Sequence, residues 1–264
     1  MIFCSLYSGS SGNCILVGSE KTKILVDVGV AGKKITEALE RIKQDPKEIK
    51  GIFVTHEHSD HIKGIGIISR KYNIPIYANK ATWNVMYDKV GKLKEENIKI
   101  IEKRSLTEIE DLKIQAFNIP HDAIAAMGYT ISDSNDKKAS IVTDIGTFTQ
   151  EIKQNIMNSD IILLEANHDE EMVKFGPYPY DLKRRVLSEV GHLCNEDCGS
   201  AIVGIMDDKK FRRIILGHLS TTNNMPELAY RAVVNILEEN GLDYKEDLKL
   251  TIAKRHEPSN YIEI

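Results

Sequence analysis

Gly51-Ile52-Phe53-Val54-Thr55-His56-Glu57-His58-Ser59-Asp60-His61 is the stretch of this 264-residue chain on which the fold turns. A short apolar run of the kind that makes a buried strand passes straight into three histidines and an aspartate. Side chains alternate along an extended chain, so His56, His58 and Asp60 are expected on one side. His61 then opens a helix and turns its ring to a neighbouring position. Four ligand-type side chains thus fall within six residues. The spacing is not the helical i, i+4 pair of a HExxH zinc protease, and it suits a strand-end loop holding two metals. Three of the eight histidines of the chain lie here, after a strand and beside an aspartate, which sets the stretch apart from an ordinary polar loop.

Outward from this stretch, β-type runs bounded by turn residues or charge recur at Ile2–Tyr7, Cys14–Val17, Lys23–Val26 and Ile74–Ala78. Others follow at Lys113–Asn118, Met127–Ser132, Ala139–Thr143, Asp160–Glu165 and Arg212–Leu216. Helical patterns lie between them. Ala31–Lys43 places Ile35, Ala38, Leu39 and Ile42 on one face, and His61–Tyr72 does the same with Ile62, Ile65 and Ile68. Lys80–Val90, Thr147–Asn158, Tyr180–Val190, Asn195–Met206 and Pro226–Asn240 also read as helices. A strand-rich first third followed by alternating elements predicts a layered α/β protein. No repeat or Pro/Gly/Ser-rich linker interrupts residues 1–264, so one continuous domain is expected.

Composition excludes several classes. With 42% hydrophobic and 28% charged residues the chain is neither disordered nor fibrous. No apolar run approaches the ~20 residues of a membrane span, and the start lacks the basic and apolar regions of a secretory leader. Cys4, Cys14, Cys194 and Cys198 are too few for a disulfide scaffold, so a cytoplasmic location is expected. Cys194 and Cys198 read as small buried helix residues, because a separate zinc site lacks two further ligands. A net charge of -4 neither advertises a nucleic-acid binder nor excludes a local basic patch.

His-x-His-x-Asp-His after a strand resembles the metallo-β-lactamase fold superfamily. Further motifs stand in the order such a fold requires, each at the end of an apolar run. Leu25-Val-Asp27-Val-Gly29 resembles the early Asp-x-Gly motif, and Pro120-His121 the single-His motif. Val142-Thr-Asp144-Ile-Gly146 resembles the bridging-Asp motif, and Ile215-Leu-Gly-His218-Leu-Ser220 the final His motif. Asp27 also reads as a turn former. The resemblance implies a four-layer αββα sandwich. It further implies a two-metal site in which His56, His58 and His121 hold one ion, Asp60, His61 and His218 hold the other, and Asp144 bridges them. Asp27 would support the metal loop without binding metal. Nitrogen and carboxylate donors without thiolate fit Zn²⁺, Mn²⁺ or Fe. Two such ions can share a hydroxide and clamp an oxyanion, and the leaving group still needs a proton.

Gly191-His192-Leu-Cys-Asn195, with Ser8-Gly-Ser-Ser-Gly-Asn13 and His218-Leu-Ser-Thr-Thr-Asn223-Asn224, narrows the resemblance to the YycJ/WalJ (VicX) group. More distantly the chain is similar to the ribonuclease Z group, whose Gly-His-x-Ser stretch supplies a proton donor or phosphate partner. By this match His192 is the general-acid candidate, against a plain polar residue at a helix start capped by Asn195. Asp60 and His192 are the expected catalytic residues. Glu165 and His168 could orient ligands from behind, and His168 equally reads as a metal ligand or a surface residue. Ser8 and Asn13 belong either to an anion-binding loop or to a tight hairpin turn. Lys183 and Arg184, with Arg185 near Tyr178 and Tyr180, suit a phosphate backbone with base stacking or a solvated helix face. Asn223 is a further substrate-side candidate.

The group resemblance implies a 5′-to-3′ DNA exonuclease, with repair or cell-wall signalling as context. An amide or thioester hydrolase and a ribonuclease are the alternatives on the same metals. A non-catalytic module would have lost ligands, whereas all seven metal positions are filled. About seventy residues separate Asp144 from His218, too few for a β-CASP clamp domain. Grip on a long polymer therefore falls to surface loops or to a homodimer.

Overall fold

In the computed structural model, which describes residues 1–206 and 210–264, the strands make two seven-stranded sheets, and helices supply the remaining regular structure. This is the α/β class expected. Two units can be distinguished: unit 1 is Met1–Asn118, Ala123–Ala139 and Lys254–Ile264, and unit 2 is Ile119–Asp122 and Ser140–Ala253.

Unit 1 carries β1 (Ile2–Tyr7), β2 (Cys14–Gly18), β3 (Lys23–Val26), β4 (Ile49–Phe53), β5 (Ile76–Ala78) and β6 (Ile98–Ile100). The meander β7 (Leu106–Ile109), β8 (Leu112–Asn118) and β9 (Met127–Ser132) follows. Its helices are α1 (Gly32–Arg41), α2 (Ser59–Ile62), α3 (Ile65–Tyr72) and α4 (Lys80–Val90). β1 to β3 are antiparallel, and β3 to β6 are parallel. The parallel register sets Val26 opposite Phe53, so the chain leaves β3 and β4 side by side at their carboxyl ends. That edge is where open α/β sheets place ligands.

Every residue of β1, β2 and β3 is buried, which is why these strands are apolar apart from Ser5 and Lys23. The unit's core joins Leu6, Leu16, Leu25 and Ile52 to Ile35, Ala38 and Leu39 of α1 and to Ile65 and Ile68 of α3. The i, i+3, i+4 spacing on α1 is the apolar stripe expected there. Each fully buried Leu or Ile contributes about 1.5–3 kcal/mol.

Unit 2 contains most of β10 (Lys138–Val142), then β11 (Ile161–Glu165), β12 (Arg212–Gly217) and β13 (Leu248–Ile252). β11, β12 and β13 are parallel, and Glu165 stands opposite Gly217. The helices are α5 (Gln150–Ile156), α6 (Glu170–Phe175), α7 (Tyr180–Val186), α8 (Asn195–Ile205) and α9 (Pro226–Glu239). The chain ends in β14 (Ile262–Glu263), paired with β1 in unit 1. Among the described residues no helix is long and apolar enough to cross a membrane.

Several expectations need correction. The helix expected over His61–Tyr72 is two helices, and the first begins at Ser59. The break falls at Gly64, whose N–H donates to Val28 O and where a Cβ would lie 2.1 Å from Val30 O. Asp60 therefore sits in α2 and not on an extended chain, so the alternation argument stops at His58. α7 stops at Val186, short of Val190, because Val186 O accepts from His192 N–H at 3.0 Å and closes the helix. The cap of α8 is Cys194, whose sulfur accepts from Asp197 N–H, and Asn195 instead pairs its side chain with Asn224. α6, β6, β7, β13 and β14 were not foreseen.

Candidate metal centre

In unit 1 the chain after β4 is held by the chain after β3. Asp27 follows β3 with φ 58°, a left-handed conformation uncommon outside glycine. This turns its carboxylate toward the neighbouring strand end. Oδ1 accepts from Thr55 N–H at 2.8 Å, and Oδ2 from Thr55 Oγ1 at 2.8 Å. Oδ2 also lies 2.7 Å from His61 Nδ1. Both groups are buried, so these bonds are shielded from water. Thr55 Oγ1 in turn stands 3.0 Å from His56 Nδ1. His56 Nε2 lies 3.0 Å from His58 Nδ1, and the His56 and His61 rings are 4.0 Å apart between centroids. His61 Nε2 is 3.4 Å from Asp60 Oδ2. Asn13 donates from its amide to the Asp60 carboxylate at 3.3 Å and stands 3.1 Å from His61 Nε2. Gly29 packs against the same turn so closely that a Cβ would lie 1.6 Å from Asp60 O.

In unit 2 the parallel strands β11 and β12 deliver Glu165 and His218 side by side, and Asp144 follows β10. Asp144 and His218 also have positive φ, 61° and 55°. Glu165 is fully buried, and its Oε1 is 2.8 Å from His218 Nδ1 and 2.9 Å from His192 Nδ1. Its Oε2 accepts from the N–H groups of Ile145 at 2.7 Å and Leu193 at 3.3 Å. Burial alone would raise the Glu165 carboxyl, but the His192 charge and the two histidine bonds hold it below the usual carboxylate range. Burial opposes charge on His192 too, yet Glu165 holds that imidazole above its ordinary value. His121 directs Nδ1 to Gly191 O at 3.1 Å, and burial lowers its pKa against the pull of Asp144. Asp144, Glu165, His192 and His218 offer ligand atoms all within 4.8 Å of one another.

The donors fit a metal. Two atoms each about 2.1 Å from one ion at a tetrahedral angle stand roughly 3.4 Å apart. Asp144 Oδ1 is 3.5 Å from His218 Nε2 and 3.8 Å from His121 Nε2. Asp60 Oδ2 and His61 Nε2 show the same kind of spacing at 3.4 Å. In His61, His121 and His218 an oxygen behind the ring engages Nδ1, which leaves Nε2 as the nitrogen that would face a metal. The donors are imidazoles and carboxylates without thiolate, a set for Zn²⁺, Mn²⁺ or Fe.

The remaining candidates fall elsewhere. Ser8 is buried in a turn in which Gly12 N–H bonds Gly9 O and the Asn13 side chain accepts from Gly9 N–H. His168 is buried, its pKa lowered by burial against Glu165, and its Nδ1 has no hydrogen-bond partner. It lies outside the close ligand groups among the described residues. Asn223 is buried, and neither end of its amide is hydrogen-bonded. Lys183 and Arg184 lie on α7, and among the described residues their contacts, with Lys174 O and the Tyr180 ring, include none of these donors. Three contributors went unassigned in the sequence: Thr55, Asn167 and Asp122. Asn167 donates to His218 O at 2.8 Å, and Asp122 is 3.3 Å from His121 Nε2 and pairs with Arg185. Each adjoins a ligand or a strand end, and that adjacency was their only signal.

Residues 22–219 match the family described as the Beta-lactamase superfamily domain. The chain is 39% identical to Exodeoxyribonuclease YycJ of Bacillus anthracis, over 94% of this chain and 93% of that protein. It is 40% identical to Exodeoxyribonuclease WalJ of Streptococcus pneumoniae serotype 2 (strain D39), over 93% and 91%. The crystal structure of the metallo-β-lactamase fold protein YhfI from Bacillus subtilis superimposes with a TM-score of 0.72, covering 98% of this chain and 100% of that one. At 14% identity that likeness shows the fold alone, the sandwich expected. The chain belongs to the metallo-β-lactamase superfamily of metal-dependent hydrolases and, within it, to the YycJ/WalJ group.

Proposed function

We propose that this protein is a nuclease that cleaves DNA phosphodiester bonds as a 5′-to-3′ exonuclease in the cytoplasm. The observation that carries the reading is near full-length similarity, at 39% and 40% identity, to two proteins named exodeoxyribonuclease. Four buried cysteine thiols suit a reducing compartment. We propose further that residues 1–264 act as one domain with one dinuclear centre. His56, His58 and His121 would hold the first ion, Asp60, His61 and His218 the second, and Asp144 would bridge. Two divalent ions, Zn²⁺, Mn²⁺ or Fe, would supply hydroxide at neutral pH and neutralise charge building on the phosphate.

The side chains of the chain do the rest. Asp27 and Glu165 fix ring orientation by engaging Nδ1 of His61 and His218. Glu165 also holds the His192 imidazole above its ordinary pKa and, 2.9 Å from Nδ1, favours a proton on that nitrogen. The Nε2 proton of His192 is then the one to pass to the leaving oxygen. Asp144, φ-strained and buried, is held for ligation in advance, so no reorganisation falls on the reaction itself.

The test is a cleavage panel with Mn²⁺ or Zn²⁺: end-labelled single- and double-stranded DNA, RNA, a β-lactam and a thioester reporter. The expected result is release of mononucleotide from a 5′ label and a shortening ladder from a 3′ label on DNA. Turnover of only RNA, the lactam or the thioester overturns the assignment.

A further inference from the structure

Beside the candidate centre, α6 and α7 pack against each other and present an uncommon surface. Phe175 at the end of α6 is 82% exposed, and Tyr180 at the start of α7 is 74% exposed. These are the two most exposed large apolar side chains among the described residues, and they stand on neighbouring helices beside the cations of α7. Next to Tyr180 lies a cavity of about 660 Å³ lined by Lys174, Tyr180, Lys183, Arg184, Leu187 and Ser188. Of its cations, Lys174 is spoken for by Glu170 at 2.7 Å and Glu171 at 3.2 Å. Among the described residues Lys183 reaches a backbone oxygen, Lys174 O at 2.8 Å, and no carboxylate. The Arg184 guanidinium lies 5.9 Å from the centroid of the Tyr180 ring. The chain is acidic overall, so this pairing of open rings with two cations that form no ion pair among the described residues is a local feature.

The platform is wired to the chemistry. Arg185, the next residue on α7, pairs with Asp122, the neighbour of His121. The last residue of α7, Val186, accepts from His192 N–H at 3.0 Å, and Gly191 O meets His121 Nδ1 at 3.1 Å. Tyr180 and Val186 are roughly 9 Å apart along the helix at 1.5 Å per residue. Tyr180 therefore stands one short helix away from the residue that holds the His192 backbone.

We propose that the α6–α7 surface grips single-stranded nucleic acid, with bases stacked on Tyr180 and Phe175 and phosphates on Lys183 and Arg184. The ligand class follows from the pairing: aromatic faces accept any base, and isolated cations follow a phosphate backbone. The proposal rests on the nuclease reading above and adds where the polymer is held.

The experiment measures binding of a non-cleavable phosphorothioate oligothymidylate to the metal-loaded protein by fluorescence anisotropy over a salt series. Tyr180→Ala is expected to weaken binding about tenfold. Lys183→Ala with Arg184→Ala is expected to flatten the slope of log affinity against log salt by roughly 1.4, at about 0.7 per phosphate contact. The control pair Lys33→Ala with Lys47→Ala, exposed lysines of unit 1, is expected to leave that slope unchanged. Unchanged melting temperatures establish that each variant is folded. Equal binding by wild type and variants, equal loss in the control pair, or no binding by wild type overturns the grip. Hydrolysis of ordinary DNA by wild type is scored separately. A protein that cleaves DNA but binds without Tyr180 refutes this inference alone, and one that binds through Tyr180 but cleaves nothing refutes the nuclease reading alone.

Discussion

Glu165 Oε1 lies 2.9 Å from His192 Nδ1, and the same oxygen lies 2.8 Å from His218 Nδ1. One buried carboxylate thus sets the orientation of a candidate proton donor and of a candidate metal ligand at once.

Removing either partner separates those duties. Glu165→Ala is expected to lower metal affinity about 10–100-fold, since the ring behind which it stands loses its anchor. His192→Ala is expected to retain metal at the wild-type level and to slow cleavage roughly 10²–10⁴-fold. Metal content by elemental analysis and single-turnover cleavage distinguish the two. Metal loss in His192→Ala would move that histidine from proton donor to ligand.

The loop after β4 depends on Asp27 and Gly29. Asp27→Ala leaves Thr55 N–H, Thr55 Oγ1 and His61 Nδ1 without their shared acceptor, at about 1–3 kcal/mol for a buried group so orphaned. It also puts alanine at φ 58°, a conformation asparagine tolerates better, so Asp27→Asn is expected to be the milder change. Gly29→Ala drives a methyl to 1.6 Å from Asp60 O, where backbone has to move. A loss of about 1–3 kcal/mol or more is expected, together with impaired metal binding. Urea unfolding of the metal-loaded variants checks the order, and a Gly29→Ala protein as stable as wild type contradicts the packing described.

Stability is expected to fall at alkaline pH. Burial pushes the Cys4 and Cys194 thiols up to about 12, and Cys14 and Cys198 well above the ordinary thiol range. Burial likewise raises Tyr129, whose hydroxyl donates to Val54 O at 2.6 Å. In the unfolded chain thiols lose their protons near about 8.5. The folded values are the higher ones, so their contribution is whole below the unfolded pKa and is lost as pH rises toward the folded one. Each group costs about 1.4 kcal/mol per pH unit across that window. The urea midpoint is expected to drop steadily from pH 9 to 11, and a thiol reagent at pH 8 is expected to label the protein only after unfolding. A midpoint that rises over the same range contradicts the account.

Much of this was readable because strand ends and polar motifs coincide. Phe53-Val54 running into His56, Val142 into Asp144 and Leu216 into His218 each join a buried strand to a polar residue, and both signals are local. Glu165 was legible for the same reason, as the last residue of an apolar run. What escaped depends on neighbours distant in sequence. Asp60 lies in a helix because Gly64 must turn against Val28 and Val30. β14 is two residues long and exists through its pairing with β1. Thr55 matters because Asp27, from another strand, accepts its bonds. β6, with Ile98 and Ile100 around one lysine, is too short for periodicity to register.

The proposal that two divalent ions, with Asp144 among their ligands, support DNA cleavage is tested most directly by metal stoichiometry measured beside DNA hydrolysis in wild type and Asp144→Ala. The account predicts about two divalent ions per chain with DNA cleavage in the wild type, and loss of both the full complement and the cleavage in the variant. An Asp144→Ala protein that keeps the wild-type metal content and cleaves DNA at the wild-type rate contradicts it.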